Sequence, residues 1–207
     1  MDWVRQARRT ARAAGRPMIL EDLESAAIPN FFRDTASARR AAIHEAGHAV
    51  AGIVTGARVE SVSLGSAGTA GGRTRLRYDD VHFQLRDDLV GRILTLLAGR
   101  AAEQVVIGSV STGAGGSDES DLAHATREME SMWARFGFGA DLLYQPAVRA
   151  TGLLEDPVVR REIADELSAH YRRALELVAE HRDAIERIAD ALIARRFLTG
   201  DEVSRLM

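Results

Sequence analysis

The sequence contains no cysteine and no lysine among its 207 residues. Without cysteine, neither a disulfide nor a thiolate metal site can form, so any metal ion must be bound by histidine and carboxylate side chains. No apolar run approaches the roughly 18–20 residues of a membrane span, and no signal peptide is visible. The phosphate-loop pattern G-x-x-x-x-G-K-[ST] is missing, so we expect no ATP binding of that kind. The net charge of −3 does not indicate a nucleic-acid partner.

Residues 42–50 read AIHEAGHAV and contain the pattern H-E-x-x-H. Histidines four residues apart lie one turn apart on the same face of a helix, so the imidazoles of His44 and His48 can bind one metal ion. Glu45 follows the first histidine and can reach a water on that ion. Two ligands and a general base are typical of zinc hydrolases. The alternative is an alanine-rich core helix whose histidines make ordinary hydrogen bonds.

The hydrophobic pattern predicts a mainly helical chain with one β-hairpin. Alternating β-branched residues predict a strand at 58–64 and a returning strand at 73–78, joined by a glycine-rich turn at 66–72. Helices are predicted for residues 3–14, 21–27, 35–56, 85–107 and 121–133. Two more amphipathic helices between 157 and 197 break near His181 and predict a C-terminal helical hairpin. Thr199 caps a last short helix.

A catalytic zinc site needs a third protein ligand. The metzincin pattern would place a histidine six residues beyond His48, where this sequence has Val54. A thermolysin-like glutamate about twenty residues further on is also missing, because Gly68 and its neighbours offer none. His82, His124, His170 and His181 lack a supporting motif. The carboxylates that stay open at this point are Asp79, Asp80, Glu103, Asp118, Glu119 and Asp121.

Further motifs follow the H-E-x-x-H pattern in order. Residues 97–103 read LAGRAAE, residues 111–114 read STGA, Asp121 stands five residues before Thr126, and residues 197–203 read FLTGDEV. With these motifs the chain, from about residue 36 to its end, resembles the peptidase domain of FtsH-type ATP-dependent zinc metalloproteases.

The resemblance implies that His44, His48 and Asp121 bind Zn²⁺ and that Glu45 is the catalytic glutamate. It also implies that Glu103 lies near the site without binding the metal. The chain departs from the family between residues 115 and 120, where it is longer and has serine in place of asparagine at position 120. Asp118 is therefore the alternative third ligand, and the spacing from Asp121 to Thr126 favours Asp121.

The fold implied is mainly α (α+β): a zincin-like helical peptidase domain with a small β-hairpin or sheet beside the H-E-x-x-H helix and a C-terminal helical hairpin. The activity implied is a zinc-dependent endopeptidase that hydrolyses unfolded or translocated proteins with a zinc-activated water. We expect the substrate to lie extended along the strand near residues 58–65. A different class of function is a catalytically latent oligomerisation scaffold of the same family.

Residues 1–30 resemble the end of an AAA ATPase lid and its linker, and residues 31–207 the peptidase domain. The resemblance implies an AAA ATPase module upstream in the same protein, so ATP would act only through that module. It also implies a homo-hexamer of the full-length protein, with protein or peptide substrates. The location implied is the bacterial cytoplasm, or the cytoplasmic face of the inner membrane if upstream segments anchor the protein there.

Overall fold

The computed structural model describes residues 3–27, 35–65, 71–79, 83–140, 142, 144, 146 and 153–207. The expected boundary between residues 30 and 31, residues 66–70 of the turn predicted at 66–72, and the candidate ligands Asp80 and His82 lie outside the described residues.

The described part of the chain is mainly helical with a small sheet, as the sequence predicts. The helices are α1 (Trp3–Ala13), α2 (Leu20–Ala27), α3 (Thr35–Val54), α4 (Arg86–Ala102), α5 (Asp121–Ala134), α6 (Pro157–Glu180), α7 (Arg182–Arg195) and α8 (Gly200–Leu206). The strands are β1 (Arg58–Leu64), β2 (Gly72–Arg77) and β3 (Phe197–Thr199). A π-helical turn, Glu103–Ile107, extends α4, and 3₁₀ turns occupy Thr112–Ala114 and Leu153–Glu155. None of the described helices combines the length and apolar character needed to cross a membrane.

The centre of the domain is the pair α3 and α4, which pack closely because small residues line their contact. A Cβ atom on Gly47 would lie 2.6 Å from the carbonyl oxygen of Ala98 and 2.7 Å from the Cβ atom of Ala102. Helix α6 packs along α4 and helix α7 along α3, which buries α3 on most sides. The helix that carries the H-E-x-x-H pattern is therefore held in the core of the domain.

The sheet has the antiparallel order β2-β1-β3, so β1 is the central strand. Its buried side chains Val59, Val62 and Leu64 belong to the hydrophobic core shared with α3. Strand β3 is not predicted by the sequence, because three residues are too few to show a periodicity. Our expectation of a substrate along residues 58–65 is wrong, because β2 and β3 occupy the two edges of β1. Among the described strands, β2 has the open edge that lies beside the H-E-x-x-H helix.

Helices α1 and α2 pack against each other as a helical hairpin. The buried carboxylate of Asp22 accepts hydrogen bonds from both terminal nitrogens of Arg16, at 2.6 and 2.9 Å, and from the backbone N–H of Ile19. These bonds, that of Arg16 foremost, lower the pKa of Asp22. The side-chain contact fixes the turn between the two helices.

His170 on α6 is a buried titratable residue away from the H-E-x-x-H helix. Neither of its ring nitrogens has a hydrogen-bond partner among the described residues. Burial lowers the pKa of His170, and the charges of Arg173 and Arg86 lower it further against the opposing charge of Glu166. The unfolded chain therefore binds this proton more readily than the folded chain does.

We expect His170→Leu to reduce the acid sensitivity of the fold. In the wild-type protein the free energy of unfolding should fall as the pH drops below about 6.5, the ordinary histidine value, because protons then favour the unfolded chain. The variant has lost this proton site, while all other titrating groups are shared. Urea unfolding of both proteins at about pH 8 and about pH 5 measures the difference. An equal loss of stability in both would contradict the prediction.

Candidate metal centre

Helix α3 presents His44 and His48 on one face, with both Nε2 atoms directed to the same point. The Nδ1 atom of His48 lies 2.8 Å from the backbone carbonyl oxygen of Thr95, and that of His44 lies 2.9 Å from Oε1 of Glu103. A carbonyl or carboxylate oxygen can only accept, so both Nδ1 atoms carry a hydrogen. The Nε2 atoms are therefore left as the donors for a metal ion.

Asp121, the first residue of α5, supplies the third donor. Its Oδ2 atom lies 3.1 Å from Nε2 of His44 and 3.4 Å from Nε2 of His48. One ligand atom from each residue lies within 4.8 Å of the other two, and we call this trio the donor cluster. Ser120 caps α5 by accepting a hydrogen bond from the backbone N–H of Ala123. Because Ser120 serves as the N-cap of α5, the carboxylate of Asp121 can face the histidines.

The positive and negative charges in the donor cluster stabilise each other. Burial disfavours the imidazolium form of His44, but hydrogen bonds to Asp121 and Glu103 outweigh burial and raise the pKa of His44 to about 10. Burial also disfavours the carboxylate form of Asp121, but the two histidines outweigh it and hold the pKa of Asp121 well below its usual range. A proton and a divalent cation would compete for the same position between these atoms.

Glu103, the first residue of the π-helical turn, fixes the orientation of His44. Its buried carboxylate also accepts hydrogen bonds from Arg40 at 2.8 Å and from the backbone N–H of Ser111 at 2.8 Å, and Oγ of Ser111 lies 3.0 Å from Oε1. Burial raises the pKa of Glu103, but the bonds to His44, Arg40 and Ser111 outweigh it and lower the pKa to about 2. Glu103 is therefore an anion whose position is fixed from three sides.

Gly99 on α4 leaves the space in which the two imidazoles meet. A Cβ atom there would lie 2.5 Å from Nε2 of His48 and 2.6 Å from Nε2 of His44. No real Cβ atom tolerates such distances, so a side chain at position 99 would displace both nitrogens. The sequence indicates only that this glycine allows close helix packing.

Glu45 is held beside the donor cluster by strand β2. The hydroxyl of Thr74 donates a hydrogen bond to Oε2 of Glu45 at 2.7 Å and lies 3.0 Å from the backbone oxygen of the same residue. A Cβ atom on Gly72 would collide with the side chain of Glu45. Strand β2 therefore approaches the glutamate closely and restrains one of its two carboxylate oxygens.

The donor cluster lies in a cleft of about 1490 Å³. One wall is formed by β2 and the residues that flank it, from Gly71 to Tyr78, and the other by α5 and the loop before it. Glu45 also lines this cleft. Strand β2 and the donor cluster therefore line one cleft.

The structure brings together all five residues that the resemblance singles out: His44, Glu45, His48, Glu103 and Asp121. The alternative ligand Asp118 is exposed and is not among the residues of the donor cluster. The other candidates whose side chains are described also lie outside the donor cluster: Asp79, Glu119, His124, His170 and His181.

Sequence reasoning missed several residues that build the site. These are Arg40, Thr74, Thr95 and Ser111, together with the role of Gly99 beside the imidazoles. One signal was available, because Thr95, Gly99 and Glu103 are spaced by four and so lie on one face of α4 and the π-helical turn that extends it. On this face the carbonyl of Thr95 binds His48, Gly99 leaves room for both imidazole rings, and Glu103 binds His44. Arg40 and Thr74 carry no comparable signal, because their roles depend on contacts between separate elements.

We expect Glu103→Gln to weaken zinc binding by about 10- to 100-fold, the range found for residues that orient metal ligands. The amide keeps the size of the side chain but loses the charge that holds His44 and pairs with Arg40. Competition with a chromophoric zinc chelator would measure the affinity. The matched control is Glu186→Gln, which also removes a carboxylate paired with an arginine, on α7. A loss of affinity of the same size in the control would contradict a specific role for Glu103.

The helical fold, the H-E-x-x-H helix beside a small sheet and a carboxylate as third donor define a zincin-like metallopeptidase domain. The comparisons with known proteins give the family. The model of peptidase family M41 matches residues 32–206. The chain belongs to this family, and it carries an FtsH-type peptidase domain, as the resemblance implies.

Three relatives illustrate the similarity. "ATP-dependent zinc metalloprotease FtsH 1" of Symbiobacterium thermophilum is 38% identical over 200 residues, which cover 92% of this chain and 32% of the relative. The FtsH protein of Thermus thermophilus is 31% identical over 225 residues, which cover 95% and 34%. The mitochondrial protein FTSH 10 of Arabidopsis thaliana is 30% identical over 183 residues, which cover 82% and 22%. The chain thus spans about a third or less of the length of these curated relatives.

Proposed function

We propose that this chain is a zinc-dependent endopeptidase domain in which His44, His48 and Asp121 hold the metal and Glu45 is the catalytic base. The observation that carries the proposal is the donor cluster, with Glu45 on the same cleft. Two imidazoles and a carboxylate are a donor set that zinc prefers in catalytic sites, where a fourth position stays open to water. The names of the relatives include "zinc metalloprotease", which agrees with this choice of metal.

In this proposal each residue of the site has a separate task. Zinc held by His44, His48 and Asp121 would supply Lewis-acid chemistry that lowers the pKa of water. Glu45 accepts a proton from the attacking water and passes it to the leaving amine. Thr74 restrains one oxygen of Glu45, and the other oxygen is the proton acceptor. Glu103 and the carbonyl of Thr95 keep the two imidazoles in the metal-binding tautomer.

The substrate would be an extended peptide that adds to the open edge of β2. Residues of β2 line the cleft, and Gly72 and Thr74 place the strand against Glu45. Backbone hydrogen bonds along the edge would hold a peptide whatever its sequence. An unfolded protein segment is the kind of substrate that can present such a backbone.

The relatives suggest the wider context, because their names call them ATP-dependent. We propose that residues 1–30 are the end of an AAA ATPase lid and its linker, and residues 31–207 the peptidase domain. ATP would then act through a module upstream of this chain, and the full-length protein would be a homo-hexamer that acts on protein substrates. Its place would be the bacterial cytoplasm or the cytoplasmic face of the inner membrane.

Zinc removal tests the proposal. Hydrolysis of casein should disappear when the protein is treated with a chelator and return when zinc is added back, because the metal supplies part of the catalysis. Light scattering on the same samples gives the assembly state. A hexameric, fully zinc-loaded protein that does not cleave casein would contradict the proposal and favour the latent scaffold.

A further inference from the structure

Three arginines stand in a row on the exposed face of β2. Arg73, Arg75 and Arg77 alternate along the strand and are all exposed, and we call them the arginine row. The residues between them, Gly72, Thr74 and Leu76, face the other way, toward α3. The period of two in a strand puts the three guanidinium groups on one side of the sheet.

The arginine row is poorly neutralised by the protein itself. Arg73 stands opposite Ser63 and Arg75 opposite Ser61 on β1, and neither serine carries charge. Within the described ranges, no carboxylate lies within ion-pair distance of Arg73 or Arg75, and Arg77 has only a 3.8 Å contact with Glu60. The chain as a whole has a net charge of −3, so this face is a local cationic feature.

The position of the arginine row relates it to the site. The same strand contacts Glu45 through Thr74, and Arg73 itself lines the cleft. A peptide added to the open edge of β2 would have side chains that alternate between two faces. Those on one face would point toward α3 and the cleft, and those on the other face would stand beside the arginines. Side chains directly opposite each other on paired strands have Cβ atoms about 4.5–5.5 Å apart, close enough for charges to interact.

We propose that the arginine row selects peptide substrates that carry aspartate or glutamate at alternate positions beside the cleaved bond. The inference rests on the proposed function, because it takes the open edge of β2 as the substrate-binding strand. The backbone of the peptide would supply sequence-independent affinity, and the arginine row would add a preference for acidic segments.

The test compares two labelled peptides of about ten residues, one with glutamate and one with glutamine at every second position. Binding is measured by fluorescence anisotropy with zinc-loaded protein that carries Glu45→Gln, so that turnover does not interfere. The glutamate peptide should bind about fivefold to tenfold more tightly, as expected for two or more exposed opposite-charge pairs, and the difference should shrink at high salt.

Adding Arg73→Gln and Arg75→Gln together should remove this preference and leave the glutamine peptide unaffected. The matched control is Arg160→Gln with Arg161→Gln, which changes the charge equally on exposed positions of α6 and should keep the preference. A second pair, Arg73→Glu with Arg75→Glu, should invert the preference when the peptide carries arginine at the same positions. Circular dichroism confirms that the variants fold.

Equal affinity for both peptides, or a preference that survives Arg73→Gln with Arg75→Gln, would overturn the inference. So would binding through these arginines to vesicles of anionic phospholipid without binding to either peptide. Cleavage of the same peptides by protein with Glu45 intact tests the proposed function separately. Cleavage without an acidic preference would leave the peptidase standing and remove the role of the arginine row. Zinc-loaded protein that binds the glutamate peptide more tightly but cleaves neither peptide would support the role of the arginine row and contradict the proposed peptidase activity.

Discussion

Glu45→Gln is expected to reduce peptide hydrolysis by at least about 10²- to 10⁴-fold, the typical contribution of a general base, while zinc stays bound. Glutamine has nearly the same shape as glutamate, so it can keep the contact with Thr74, but it cannot accept the proton of the attacking water. The metal donors are not touched by the change. Casein hydrolysis and zinc content by atomic emission, measured on the same preparation, give the two readouts.

The matched control for this prediction is Glu128→Gln. Glu128 lines the same cleft and has a 3.8 Å contact with Arg92, but it is not part of the donor cluster. Its replacement should leave the hydrolysis rate within a few-fold of the wild type. Retained hydrolysis in Glu45→Gln would remove the role of Glu45 as base, and lost zinc in that variant would show that the glutamate acts on the metal instead.

Asp121→Ala is expected to lower zinc affinity by more than about a hundredfold, which is the upper range for residues that only orient a ligand. The change removes one of the three donors, so that only the imidazoles of His44 and His48 are left to bind the metal. Asp118→Ala, three residues earlier in the loop before α5, is the matched control and should bind zinc as the wild type does. Isothermal titration with zinc measures both variants.

The comparison of these two aspartates decides the third ligand. Zinc affinity lost in Asp118→Ala and kept in Asp121→Ala would mean that the loop between residues 115 and 121 binds the metal in a different register. Loss in both variants would mean that the loop acts as a unit and that neither residue can be assigned alone. The 3.1 and 3.4 Å distances from Asp121 to the two histidines favour Asp121 as the third ligand.

The sequence predicts the helices and the β-hairpin because their periodicities are local and long. The H-E-x-x-H pair is equally local, since its geometry follows from the spacing of four. The third donor is not local: Asp121 lies 77 residues beyond His44, and the spacing of residues leaves six carboxylates open. Only the order of several motifs, through the resemblance, singles out Asp121.

Strand β3 and its effect on the sheet could not be predicted. A three-residue strand has no measurable periodicity, and its pairing with β1 depends on how α7 returns the chain to the sheet. This short strand covers the edge of β1 that a two-stranded hairpin would leave open. The expectation of a substrate along residues 58–65 is therefore wrong, and the proposed role of the arginine row rests on the outer edge of β2 instead.

Thr95 and Gly99 of α4 and Glu103 of the π-helical turn that extends it have a consequence for how the site assembles. Both imidazoles are fixed within the tightly packed pair α3 and α4, whereas Asp121 comes from a separate helix at the end of a glycine-rich loop. Bound metal would therefore link the pair α3 and α4 to α5, an element that comes much later in the chain. By thermodynamic linkage, whatever favours docking of α5 also raises metal affinity, and the ion in turn holds that wall of the cleft in place.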